Sequence, residues 1–266
     1  MRTSPISFTE DNFCSILAGN KTETRRLLTI KGRTQEYVNE IEAFHKDEDG
    51  EWIAVSGLDA NNPEWVKKAY PKGSNKGIKP KYNVGDRCYL TEPTQILNTT
   101  PDDSIYIESC EVAYFWSNKT NTFEGISDRK WVELTDSDST KICNRKSGIY
   151  SKQIARFMLK SFARYWVEIV DVRLERLLDI TEEAAIAEGI KCHVNRGYLD
   201  GNLNYEYPLY WDYTTNQYSF KSPITSYLSE IAAIHKPTKD KIGGYELVDS
   251  NPWVWVYKFK LVGENQ

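Results

Sequence analysis

The chain is poor in the residues that build metal centres and disulfide frameworks. It has 266 residues but only five cysteines and three histidines. Cys14, Cys88, Cys110, Cys143 and Cys192 are scattered, odd in number, and include no Cys-x-x-Cys pair, which argues against both a disulfide framework and a zinc site. His45, His193 and His235 do not stand at metal-ligand spacing, so no metal and no cofactor are expected. No stretch approaches the roughly 20 apolar residues of a membrane span, and residues 1–15 lack the apolar run of a secretory signal. A reduced, cytoplasmic protein with no membrane partner is the expectation. Gly-rich phosphate loops of the Walker or dinucleotide type are also missing, as are internal repeats and low-complexity tracts. The charge has no basic excess, since 34 Lys and Arg against 38 Asp and Glu leave −4. That excludes a uniformly basic protein that coats nucleic acid, though not a local basic groove.

What the chain does have in excess is aromatic residues, 13 %, with 17 Tyr and 8 Trp. They suit a β-rich fold or a surface that stacks flat ligands. Thr9 as N-cap, Phe13, Ile16 and Leu17 at helical spacing and Gly19 as the stop predict a short amphipathic helix. Strands are predicted over 87–92, 105–116, 165–173 and 253–261, the last from strict alternation of Trp253, Trp255, Tyr257 and Phe259 with Val and Lys. Thr181 opens a second short helix, with Glu182 and Glu183 in its first turn and Gly189 closing it. Ser222-Pro223 starts a third. The polar stretches 31–80, 96–150 and 192–221 read as insertions, the last of them irregular, in a single domain spanning 1–266. The predicted fold is α+β, built on a mainly antiparallel sheet or barrel.

Three constellations carry candidate chemistry. The first is Gly19-Asn20-Lys21-Thr22-Glu23-Thr24-Arg25-Arg26. An amine beside a hydroxyl can take its proton and make it a nucleophile. In a helical turn Lys21 and Thr24 share a face, whereas in a strand they point oppositely; the alternative is a solvated loop. The second is Glu188, whose carboxylate faces the negative end of its helix at a cost of roughly 0.3–1 kcal/mol. Such a charge is either kept for function or simply exposed. The third is the segment 141–167, with seven basic residues and no acidic one. Lys152, Arg156, Lys160 and Arg164 recur every four residues, so a helix would align them. Interleaved Phe157, Phe162, Tyr165 and Trp166 could stack bases while the cations hold phosphate. The alternative is a solvated basic surface.

Taken together, ILAGNKTETRRLL (16–28), GDRCYLTE (85–92), VDVRLERLLDITEEAAIAEGI (170–190), SPITSYLSEI (222–231) and NPWVWVYKFKLV (251–262) resemble the ASCH (activating signal cointegrator homology) family, most of all its long phage and prophage members. The resemblance implies a PUA-like fold, a small β-barrel with short covering helices, and a cleft that binds RNA, DNA or a modified nucleoside. One branch removes the acetyl group from N4-acetylcytidine. By that resemblance Lys21 is the base, Thr24 the nucleophile and Glu188 the third polar partner, while Arg26 matches a basic position beside the cleft. Lys152, Arg156, Lys160 and Arg164 would hold phosphate. The chain departs from long members at Tyr89, Thr91, Phe157 and Leu159. Three functions follow as expectations: an amidohydrolase of N4-acylated cytidine, a non-catalytic reader of nucleic acid or a modified base, and a metal-independent ribonuclease.

Overall fold

The computed structural model describes residues 3–46, 51–55, 77–99, 107–115, 128–143, 153–199, 202–238 and 242–264. The strands are β1 (Thr3–Ser7), β2 (Glu23–Leu27), β3 (Ala43–Lys46), β4 (Trp52–Val55), β5 (Arg87–Thr91), β6 (Thr94–Thr99), β7 (Ser109–Tyr114), β8 (Asp128–Glu133), β9 (Tyr165–Arg176), β10 (Cys192–Leu199), β11 (Asn202–Asp212), β12 (Gln217–Phe220) and β13 (Trp253–Glu264). The helices are α1 (Glu10–Leu17), α2 (Gln35–Asn39), α3 (Asp136–Cys143), α4 (Glu182–Ala187), α5 (Pro223–Ile234) and α6 (Gly244–Asp249). The architecture is mixed α and β with strands predominating. The chain forms two compact units, one of Met1–Asn20, Val84–Val170 and Phe259–Gln266, the other of Lys21–Asn83 and Asp171–Lys258.

In the first unit β1 pairs parallel to β5, with Ile6 opposite Leu90, and β5 pairs antiparallel to β9, with Cys88 opposite Val167. A separate antiparallel sheet runs β6-β7-β8. Alternation along β7 sends Cys110, Val112 and Tyr114 into a core shared with Ile96, Phe162 and Trp166. Thr9 caps α1 by accepting from the Asn12 N–H, and Gly19 follows the helix at φ +78°. That left-handed conformation suits glycine because it has no Cβ to clash.

In the second unit the strand order is β9-β13-β2. β13 and β2 are antiparallel, with Val256 opposite Arg25 and Tyr257 opposite Thr24. Val254 and Val256 pack with Leu177, Ile180, Ala185, Tyr227 and Ile231, which joins the sheet to α4 and α5. Thr181 accepts from the Ala184 N–H as the cap of α4, and Gly189 follows it at φ +80°. Ser222 precedes α5 with Pro223 in the first turn.

All three predicted helices are present, and the four predicted strands appear as β5, β7, β9 and β13, apart from residues 105, 106 and 116, which lie outside the described residues. The polar stretches are more ordered than expected. Residues 192–221 hold the antiparallel sheet β10-β11-β12 rather than an irregular segment. The β10–β11 register runs from Cys192 opposite Tyr210 to Leu199 opposite Asn202. Tyr205, Tyr207, Leu209 and Trp211 supply the alternation that the Asn and Pro residues obscure. The 31–80 stretch contributes α2 and the β3–β4 hairpin, and 96–150 contributes β8 and α3 besides the predicted β7. The barrel expectation fares differently: among the described residues the sheets are open and do not close on themselves. No helix among those residues is long and apolar enough to cross a membrane.

Candidate functional site

The second unit brings Lys21 and Glu188 together although 167 residues separate them. An isolated antiparallel bridge links their backbones, and the neighbouring Thr22 N–H donates to the Ala187 carbonyl at 2.8 Å. Gly189 ends α4 and leaves Glu188 as its C-cap, so the bridge delivers Lys21 to that point. Lys21 Nζ donates to Glu188 Oε2 at 2.6 Å and to the Glu188 carbonyl at 2.5 Å. Lys21 is 3 % exposed and Glu188 2 %. The unfavourable meeting of a carboxylate with a helix C-terminus is thus offset by a directly bonded ammonium.

Arg25 completes the group, and its role is missed by reading the sequence. Its Nη1 donates to Glu188 Oε1 at 3.0 Å, while Nε and Nη2 both donate to Glu175 Oε1, at 2.9 and 2.6 Å. Arg173 bridges outward to Glu23, Glu175 and Asp171, each at 3.1 Å. Burial alone lowers the Arg25 pKa, but Glu188, then Tyr227 and Glu175, outweigh it and raise the pKa. Arg173 behaves likewise: burial lowers its pKa, and Glu23 and Glu175 raise it further. The sequence signal is alternation, since Glu23 and Arg25 on β2, and Arg173 and Glu175 on β9, stand two apart and face the same way. Three cations here meet four carboxylates. Among the described residues no surplus positive charge stands at Lys21 for a phosphate.

Thr24 lies one residue out of phase. Strand alternation puts it with Arg26 on the opposite face of β2, across from Tyr257 and Trp255. That face is aromatic: Tyr82 packs edge-on against Tyr257 at 5.2 Å, and Trp52 against Trp255 at 5.9 Å. The Lys81 N–H donates to the Tyr257 hydroxyl at 3.1 Å. Trp52, Lys81 and Tyr82 come from or just follow the 31–80 stretch, so an insertion covers the face that carries Thr24, which is buried, and Arg26, which is half-buried.

The basic stripe does not form. Residues 155–157 and 160–162 are two separate 3₁₀ turns joined by extended residues. The Ser161 N–H that an α-helix would direct to the Phe157 carbonyl goes instead to Asp138 Oδ2 at 3.0 Å, with Ser161 Oγ on the same oxygen at 2.7 Å. Arg156 and Lys160 are exposed, as is Phe157 at 56 %. Arg164 is only 9 % exposed: it forks onto Glu92 at 2.9 and 2.7 Å, beneath the Tyr114 ring at 4.0 Å. It therefore belongs to the core and not to a phosphate groove. No spacing signal links it to Glu92, which lies 72 residues away. Phe162 and Trp166 are core as well. Lys152 lies outside the described residues.

An open depression of about 640 Å³ runs along His193, Val194, Asn195, Arg196 and Glu206, and none of the predicted site residues lines it. Among the described residues no group of three or more His, Cys, Asp or Glu is gathered as for a metal ion. Known protein families, curated proteins and solved structures yield no match to this chain.

Proposed function

We propose that this chain is an ASCH-type protein of the phage kind that binds a nucleoside or modified base at Lys21 and Glu188, and that its reaction class is hydrolysis of an acyl amide on N4 of cytidine. The observation that carries this reading is the buried contact at 2.6 Å between Lys21 Nζ and Glu188 Oε2, two residues that the family resemblance pairs. A PUA-like origin for the mixed, strand-rich fold goes with it. In this scheme Glu188 orients Lys21, whose amine form takes the hydroxyl proton of Thr24, a residue that lies on the opposite face of β2 from Arg25 and has to be brought round to Lys21 for this step. The Thr24 oxygen attacks the amide carbonyl, the N4 amine leaves with the proton, and water then releases the acyl group. Because the Lys21 and Arg25 charges are balanced by carboxylates, the site suits a neutral base better than a phosphodiester, which favours amide hydrolysis over a ribonuclease.

The phase of Thr24 favours a second reading, a reader that binds the modified base without chemistry. Incubation with N4-acetylcytidine decides between them. Release of cytidine that is lost in Lys21→Ala and Thr24→Ala supports hydrolysis. Binding without release, lost only in Lys21→Ala, supports the reader. Neither release nor binding at high protein concentration overturns both.

A further inference from the structure

Tyr227 stands on α5 with its ring beside the Arg25 guanidinium, Cζ lying 5.8 Å from the ring centroid. It is 2 % exposed, and among the described residues its hydroxyl has no hydrogen-bond partner. A buried O–H left unpaired is destabilising, and folded proteins keep few of them. The charged groups acting on this hydroxyl are Glu188, Arg25, Glu230 and Glu175. Burial first, and then Glu188, raises its pKa well above the ordinary tyrosine value, so it remains a donor.

The carboxylates that act on it are Glu188, Glu230 and Glu175, and in Glu188 each oxygen already accepts from a charged donor. Oε1 accepts from Arg25 and Oε2 from Lys21. When Lys21 turns to a bound base, Oε2 loses its cationic partner in a buried place, which is costlier than the unpaired phenol. We propose that Tyr227 is a positioning residue whose hydroxyl donates to Glu188 when Lys21 lets go. One unpaired donor and one bared acceptor then satisfy each other, and the carboxylate stays fixed while the amine moves. This inference rests on Lys21 and Glu188 being the working pair, but its test needs no substrate.

The test compares thermal unfolding of the full chain in four forms: unaltered, Tyr227→Phe, Lys21→Met, and both together. Next to an intact Lys21, Tyr227→Phe removes an unpaired hydroxyl and leaves Tm unchanged or raised. Next to Lys21→Met it removes a working hydrogen bond and lowers Tm by about 2–4 °C. A merely structural tyrosine would not reverse sign. The same effect in both backgrounds overturns the assignment, and so does a fall in Tm next to intact Lys21. Lys21→Ala serves in the same way should Lys21→Met not fold, and the single Tyr227→Phe protein can overturn the assignment by itself. If N4-acetylcytidine is turned over, Tyr227→Phe lowers kcat about tenfold with KM unchanged. Absence of turnover in the unaltered protein counts against the amidohydrolase reading and leaves the Tm comparison to decide on Tyr227.

Discussion

Lys21 and Glu188 hold each other by side chain and backbone at once, and both are almost wholly out of water. Removing one partner of such a pair leaves the other charge buried and uncompensated, which typically costs about 3–5 kcal/mol. Replacing both with apolar residues is far milder, because neither desolvated charge remains. Urea unfolding of Lys21→Met should therefore show a drop of about that size, with much of it restored in Lys21→Met/Glu188→Leu. Arg25 makes the restoration possible, since it keeps its two bonds to Glu175 when Glu188 is gone. A double variant no more stable than the single one would mean that the contact with Glu188 is not what Lys21 contributes.

At the scale of elements, the clearest sequence signals are caps, glycine stops and alternation. Thr9 and Thr181 cap where predicted, and Gly19 and Gly189 take positive φ after their helices. These signals are local, so the sequence shows them directly. The stripe over 152–164 misleads because its four-residue spacing is real while the partners that break it, Asp138 and Glu92, lie far off in the chain. For the same reason Lys21 and Glu188 can be singled out, whereas Arg25 and Tyr227 cannot. A residue's fitness for chemistry is visible in its type and neighbours, but a hydrogen bond across the chain is not. Asp138 offers a measurement. Burial raises its pKa, but hydrogen bonds from Lys141 and Ser161 outweigh burial and hold the pKa below the ordinary carboxylate value. A group depressed in the folded state adds stability that is fully present above its unfolded pKa, about 3.9, and is lost as pH falls through the folded value. Lowering the pH from about 6 to about 2 should destabilise the unaltered protein more steeply than Asp138→Asn. Equal slopes would remove Asp138 as the cause.

For the whole molecule, a net charge of −4 is compatible with gripping a single base and does not favour a long electrostatic track. The exposed Arg156 and Lys160 remain free to meet a phosphate, whereas Arg164 is committed to Glu92. Charge reversal at Arg156 and Lys160 should weaken binding to a single-stranded oligonucleotide and reduce its salt slope by about one for each phosphate no longer neutralised. Reversal at Arg164 should lower Tm instead, by setting two buried acids against each other. Unchanged binding after reversal of Arg156 and Lys160 would leave that segment without a role in recognition. The pairing of β2 with β13 bears on how such a protein is made. Leu27 meets Val254 and Glu23 meets Lys258, so the ladder that fixes the orientation of Arg25 closes only after more than two hundred residues of intervening chain exist. Contacts of such long range form late in folding. A nascent chain that has not reached residue 258 has no partner strand for β2 among the described residues, and so fixes the orientation of Arg25 toward Glu188 and Glu175 only once β13 has been made.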